Sequence, residues 1–345
     1  MSGKGTRIAF ATSCDLNYLE QAHTLALSVK NIYPNAQFFL ALNENEVKLE
    51  TEIKSLTDVF DYVLVGKDLH PKYPELDERY GVIEICCATK PALLTRCFDE
   101  GFEQVFYLDP DAYLVSTLTE STEFLAKKGS DAVFTPHLTK LGTLEIEISA
   151  MKHGILNLGF LGLNNNARTR SFLEWWNSRL ETLCIKDYER GIFTDQTWAG
   201  LAVGVLSNKI IRDPGYNFAT WNLPDHVVGK KQSEYYIDDN KLVFAHFSTF
   251  LSGGIEDFIN KFNIPVTPAF YELLAEYRES VTYSRNLLSE VIKKKTVKVH
   301  YKGKTKNDLP SANFKNFTIT LLKKYFPAGL RAIILLKRKL KLSRA

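Results

Sequence analysis

The feature that most constrains this chain is the alternation of short apolar strands with helices over its first 65 residues. Residues 7–12 (Arg7-Ile8-Ala9-Phe10-Ala11-Thr12) read as a strand that breaks at Ser13-Cys14-Asp15. Residues 18–33 carry Leu19, Ala22, Leu25, Ala26 and Val29 at helical spacing and stop at Pro34-Asn35. A second strand at 38–42, a helix at 47–56 and a third strand at 62–65 follow. This β-α-β-α-β order predicts an α/β fold with a mostly parallel sheet flanked by helices, joined by right-handed crossovers. Such sheets bind ligands at the carboxyl ends of their strands. The chain has no G-x-G-x-x-G and no full G-x-x-x-x-G-K-[ST] loop, which argues against a dinucleotide enzyme and a P-loop NTPase.

The next strand ends in chemistry. The apolar run Val105 to Leu108 stops at Asp109-Pro110-Asp111, because proline fixes φ and lacks an N–H. Two carboxylates so close repel unless a cation lies between them, and a hard divalent ion such as Mn²⁺ or Mg²⁺ fits. The plainer reading is a solvated Asp-Pro-Asp turn. Upstream, residues 80–98 read as helical with Pro91 marking a kink or a second start, and Lys90 is a surface lysine or a phosphate or metal-site partner.

Downstream, residues 131–135 and 155–164 read as strands and 167–183 as an amphipathic helix. Gly159 and Gly162 inside the second of these strands suggest a bulge or a close approach by a ligand. Asn157 is a core amide or a sugar contact. Thr194 reads as the N-cap of the next helix, and Asp195 and Gln196 fall in its first turn. Residues 242–247 read as a strand ending at His246, a core histidine or the third ligand of a divalent ion. Residues 265–291 are helical in pattern.

The net charge of +3 hides an asymmetry, since residues 291–345 hold 16 of the 43 Lys/Arg and one acid, Asp308. The body is acidic and the tail basic. Residues 293–306 read as a basic connector, and residues 314–345 mix apolar and basic side chains. The longest apolar run there, Ala332 to Leu336, is far shorter than the ~20 residues that span a bilayer, so the tail is expected to lie on an anionic membrane surface. Nucleic acid is not expected as a partner. Five cysteines without a C-x-x-C pair, and a polar start that runs straight into a strand, predict a reducing cytoplasmic setting and no signal peptide. The expected division is 1–262 for the α/β domain, 263–307 for a helical segment and connector, and 308–345 for the membrane-associating tail.

The ordered motifs resemble a known family. Cys14-Asp15-x-Asn17-Tyr18, Ala88-Thr89-Lys90-Pro91, Tyr107-Leu108-Asp109-Pro110-Asp111, Asn157-Leu158-Gly159-Phe160, Asp195-Gln196 and His246 resemble GT-A fold nucleotide-sugar glycosyltransferases, most closely glycosyltransferase family 8 and its bacterial relatives. The resemblance covers roughly residues 7–250. It implies that Asp109, Asp111 and His246 bind Mn²⁺ or Mg²⁺ at the donor diphosphate. It implies that Ala11, Thr12, Asp15 and Tyr18 hold the base and ribose, and that Lys90 contacts the donor. Asn157, Asp195 and Gln196 would line the sugar and the reacting carbon. The implied reaction moves a sugar from a UDP-sugar to a glycan or lipid-linked acceptor with retention, in surface polysaccharide assembly at the inner face of the cell membrane. The chain departs from the family after His246, where Phe247-Ser248-Thr249-Phe250 stands in place of the usual glycine and phosphate-binding lysine, so the phosphate clamp differs. One rival is a sugar nucleotidylyltransferase, disfavoured because residues 11–15 lack Gly, Lys and Arg. The other is a non-catalytic membrane-attached protein that binds sugar nucleotides.

Overall fold

The computed structural model describes residues 6–46 and 48–294, which belong to one compact unit. The basic connector and the tail expected on a membrane lie outside the described residues. Among the described residues no helix is long and apolar enough to cross a membrane.

The first half runs β1 (Ile8–Cys14), α1 (Leu19–Ile32), β2 (Gln37–Leu42), α2 (Lys48–Leu56) and β3 (Tyr62–Val65), as the periodicity predicts. Three helices follow, α3 (Tyr73–Arg79), α4 (Val82–Ala88) and α5 (Lys90–Asp99). Of the kink and the second helix start that Pro91 allows in 80–98, the structure shows the second start: the helix breaks at Thr89 and Pro91 lies in the first turn of α5. Proline has no N–H to give, and that costs nothing in a first turn. Next come β4 (Gln104–Leu108), β5 (Ala112–Leu114), α6 (Thr119–Leu125), β6 (Ala132–Pro136), α7 (Leu144–His153), β7 (Leu156–Asn164) and α8 (Ala167–Leu183). A hairpin of β8 (Lys186–Asp187) and β9 (Ile192–Phe193) leads to α9 (Gln196–Gly200) and β10 (Asn208–Ile210). Then follow β11 (Phe218–Ala219), the meander β12 (Val228–Lys231), β13 (Glu234–Ile237) and β14 (Asn240–Lys241), and β15 (Phe244–His246). Helices α10 (Gly254–Phe262), α11 (Pro268–Leu287) and α12 (Ser289–Ile292) end the described chain.

Seven strands form the central sheet in the order β10-β6-β7-β4-β1-β2-β3. All neighbours are parallel except β7, which runs antiparallel to both β4 and β6. The fold is therefore α/β with a mainly parallel sheet flanked by helices. Strand alternation sends Phe10, Phe38 and Phe106 to the core under α1, and Ala9, Ala11, Phe39 and Tyr107 to the core under α5 and α8. A small second sheet, β11-β15-β5, stands beside β4.

Helix α11 closes over this small sheet. Tyr277 is fully buried, stacks on Phe247 at 4.2 Å and accepts from Gln21 Nε2 at 2.8 Å through its hydroxyl oxygen. Arg285 grips both oxygens of buried Glu20 at 2.9 and 2.7 Å, a forked pair. His23 on α1 bonds Ser284 at 2.9 Å and Thr57 at 3.0 Å.

Burial pushes the His23 imidazole from 6.5 down to about 4. The folded protein thus holds this ring neutral, and unfolding takes up a proton below pH 6.5. Stability from this group is complete above pH 6.5 and is lost as the pH falls toward 4, by about 3 kcal/mol at ~1.4 kcal/mol per unit. Urea unfolding at pH 7 and pH 4.5 is expected to show this loss in the wild type and a smaller pH dependence in His23→Gln. Equal pH dependence in the two proteins would remove His23 as the cause.

Candidate functional site

The turn after β4 carries both aspartates. Ala112 N–H closes it by donating to Asp109 C=O at 3.0 Å, and Asp109 N–H is held by Gly159 C=O of β7 at 3.0 Å. The solvated-turn reading is half right, because the turn forms but Asp111 is buried. The antiparallel register of β15 on β5 sets His246 opposite Ala112, so its ring faces Asp111. His246 Nε2 lies 2.9 Å from Asp111 Oδ1 and 3.9 Å from Asp109 Oδ2. Each of the three residues offers one ligand atom, and these atoms lie within 4.8 Å of one another. Two hard carboxylates and one imidazole nitrogen suit a divalent ion such as Mn²⁺ or Mg²⁺. Burial lowers the pKa of His246, but the charges of Asp111 and Asp109 outweigh it and hold the ring above its ordinary value.

Gly159 makes room for this ring. A Cβ added there would stand 2.5 Å from His246 Cε1 and 2.7 Å from Asn157 Oδ1. At Gly162 the close neighbours are Val133 and Phe106. The expected approach of a ligand to these glycines is thus an approach of the protein's own side chains.

Lys90, at the start of α5, is buried rather than on the surface. Its Nζ lies 3.0 Å from Asp195 Oδ2 and 3.3 Å from Asp109 Oδ1, and 4.6 Å from the Tyr107 ring centre. Burial opposes its charge, yet Asp109 and Asp195 more than compensate and raise its pKa well above the ordinary lysine value. Tyr107 donates its hydroxyl to Asp109 Oδ1 at 2.9 Å. Asp195 Oδ2 is buried with no hydrogen bond, so the ammonium is what offsets its charge.

Thr194 is not the N-cap. Its backbone is left-handed (φ 44°), its hydroxyl donates to Asp195 Oδ1 at 3.0 Å, and Asp195 occupies the N-cap position of α9 without a side-chain capping bond. A left-handed threonine costs about 1–3 kcal/mol, and the turn aims Asp195 at Lys90 instead of at the helix end. Trp176 Nε1 anchors the same turn by donating to Asp195 C=O at 3.1 Å.

Gln196 and Asn157 meet across β7. Gln196 Oε1 accepts from Leu158 N–H at 2.9 Å, and its Nε2 donates to His153 C=O at 2.8 Å. Asn157 Oδ1 accepts from Gly159 N–H at 2.9 Å. His137 and Asn217, neither of them among the predicted site residues, join these amides. His137 Nε2 is 3.1 Å from Asn157 Nδ2 and 3.4 Å from Gln196 Nε2. Asn217, in a left-handed backbone (φ 56°), bonds Thr135, Asn157 and His246. The signal available in the sequence was the amide- and aromatic-rich run Tyr216-Asn217-Phe218; asparagine tolerates the positive φ that the structure shows there.

The other predicted residues lie differently. Tyr18 borders the cluster, where burial and the charges of Asp111, Asp15 and Asp109 push its hydroxyl up to about 12. Asp15 is spent locally, accepting from Asn17 N–H at 3.1 Å and from Asn17 Nδ2 at 2.5 Å. Ala11 is fully buried in the core of β1, and Thr12 donates to Leu108 C=O at 2.7 Å.

No protein-family model matches the chain. It is 24% identical to the uncharacterized protein YfnF of Bacillus subtilis over 251 residues, 70% of this chain and 80% of that one. It is 25% identical to the uncharacterized protein YfnD of the same organism over 173 residues, 48% of this chain, and the match spans about half, 54%, of YfnD. Among solved structures it is similar to the galactosyltransferase LgtC in complex with donor and acceptor sugar analogs (TM-score 0.45, 16% identity, 79% of this chain and 99% of that one). It is also similar to the glycosyltransferase GlyE of Streptococcus pneumoniae (TM-score 0.46, 14% identity, 83% and 64%). A third is a glycosyltransferase involved in glycosylation of the major capsid of PBCV-1 (TM-score 0.42, 12% identity, 73% and 98%).

Replacing Lys90 by Met leaves the carboxylates of Asp109 and Asp195 without their shared cation. The expected cost is about 3–5 kcal/mol in urea unfolding at pH 7, and adding Asp195→Asn should recover part of it. A single variant as stable as the wild type would show that the triplet does not hold this region together.

Proposed function

We propose that this chain is a metal-dependent glycosyltransferase. The observation that carries the reading is the convergence of Asp109, Asp111 and His246 at the carboxyl end of β4, with buried Lys90 and the Asp195-Gln196 turn against it. Two acids and an imidazole beside a fixed ammonium suit electrostatic work on a departing phosphate.

In this reading Asp109, Asp111 and His246 would hold Mn²⁺ or Mg²⁺. The ion, when bound, supplies Lewis-acid neutralisation of the charge that grows on a leaving diphosphate. The remaining work belongs to the chain. Lys90, kept charged by its two aspartates, offers fixed positive potential beside the same oxygen atoms and needs no reorganisation during reaction. Gln196 cannot take a proton at ordinary pH. It presents an amide whose orientation is fixed by Leu158 and His153, with one oxygen lone pair still open. Asn157 and Asp195 line the same face, and Tyr18 borders the nucleotide side. An acceptor proton passing to the departing phosphate on that face is compatible with retention. The donor is proposed to be a UDP-sugar, the acceptor a glycan or lipid-linked glycan, and the setting surface polysaccharide assembly at the inner membrane face. The membrane part rests on the basic amphipathic sequence of residues 308–345 alone.

Calorimetric titration of UDP, GDP, dTDP and CMP, each with and without Mn²⁺, tests the reading. UDP is expected to bind only with the ion, and Asp111→Asn to weaken that binding by about tenfold or more. Absence of metal-dependent binding for every nucleotide would reduce Asp109-Pro110-Asp111 to a structural turn.

A further inference from the structure

Three buried polar side chains, His246, Asn217 and Asn157, and the half-buried His137 form one line from the candidate ion site to the end of α7. His246 Nδ1 is 3.1 Å from Asn217 Oδ1, and Asn217 Nδ2 is 2.9 Å from Asn157 Oδ1. Asn157 Nδ2 is 3.1 Å from His137 Nε2, and His137 Nδ1 is 2.5 Å from Gly154 C=O.

Two backbone groups fix the direction of every bond in this line. Gly159 N–H can only donate, so the Asn157 atom it meets is the oxygen. The Asn217 atom against that oxygen must then be the amide nitrogen. The other atom of Asn217 is its oxygen, and His246 Nδ1 facing it must carry a proton. From the opposite end, Gly154 C=O can only accept, so His137 Nδ1 carries a proton. A neutral His137 then has a bare Nε2, which suits the amide nitrogens of Asn157 and Gln196. Burial favours that neutral form, pushing His137 down to about 4. The assignments from the two ends agree, and all four donors point away from the ion site.

We propose that His137 and Asn217 are positioning residues that lock His246 in the tautomer whose Nε2 lone pair faces Asp109 and Asp111. The inference rests on the reading of that cluster as a divalent-ion site. A bare Nε2 2.9 Å from a carboxylate oxygen is repelled, so the locked tautomer is stable only with a cation or a proton between them. The line thereby makes the cluster demand a cation. It also ties that demand to Asn157 and Gln196, because one imidazole, His137, serves both amides and the metal-facing histidine.

The test uses ¹⁵N NMR of histidine-labelled full-length protein and titration of free Mn²⁺ followed by electron paramagnetic resonance. In the metal-free protein at pH 7.5, roughly one unit above the ordinary histidine value, His137 is expected to carry its proton on Nδ1. With Mg²⁺, His246 is expected to carry its proton on Nδ1 as well. A proton on Nε2 of either ring overturns the line. His137→Leu, which cannot accept from Asn157, is expected to weaken Mn²⁺ binding about tenfold or more. His137→Gln, whose carbonyl can accept from Asn157 while its amide donates to Gly154, is expected to stay within about threefold of the wild type. Equal Mn²⁺ affinity in His137→Leu and wild type, with His246 still protonated on Nδ1, overturns the positioning role. Failure of the wild type to bind Mn²⁺ overturns the ion-site reading itself, and the tautomer of His137 in metal-free protein still decides whether the line runs as drawn.

Discussion

The site depends on one buried ammonium. Lys90 stands between a carboxylate at the end of β4 and one at the start of α9, 3.3 and 3.0 Å away. Without it, the buried carboxylate of Asp195 and the partly exposed one of Asp109 would lose the cation they share, which is costly where burial is deep. With it, acids 86 residues apart in sequence converge on one ammonium. Lys90 reaches this position because α5 begins at Thr89-Lys90-Pro91, where a helix start replaces what would otherwise be a continuous helix.

The second constraint is register. A three-residue antiparallel pairing of β5 and β15 brings His246 to Asp111, and Gly159 on the neighbouring β7 leaves the space its ring occupies. Tyr277 of α11 backs this arrangement by stacking on Phe247, the residue after His246. Helix α11 therefore supports the cluster from behind, through Gln21, Glu20 and His23 of α1. An account of the cluster that stopped at β15 would omit the packing that holds β15 in place.

Much of this was legible in the chain. The strand and helix order through Val65 follows from apolar spacing that only one or two structures can satisfy, and it came out nearly residue for residue. Asn157 drew notice as a polar group inside an apolar run, Asp109, Asp111 and His246 as metal-ligand types at strand ends, and Asp195 and Gln196 through the ordered motifs. His137 did not, since it sits next to loop residues where a polar side chain needs no excuse. Thr194 was read as a helix cap from residue type alone, but cap geometry depends on backbone φ, which the neighbouring Lys90 and Trp176 contacts impose. Ala11 and Thr12 are inside β1, and Asp15 is turned onto Asn17, because the carboxyl end of a strand offers several residues and only tertiary packing selects which face the cleft.

By itself the sequence determined the α/β class, the end of β4 at Pro110 and the presence of acids there, since these follow from local rules of periodicity, φ restriction and the cost of unpaired charge. Only the tertiary structure decided which acid pairs with Lys90, which face of His246 meets Asp111, and which amides connect it to Gln196. Those outcomes depend on hydrogen-bond directions and distances between residues far apart in the chain, and a donor or acceptor acquires its role only when a specific partner is folded against it.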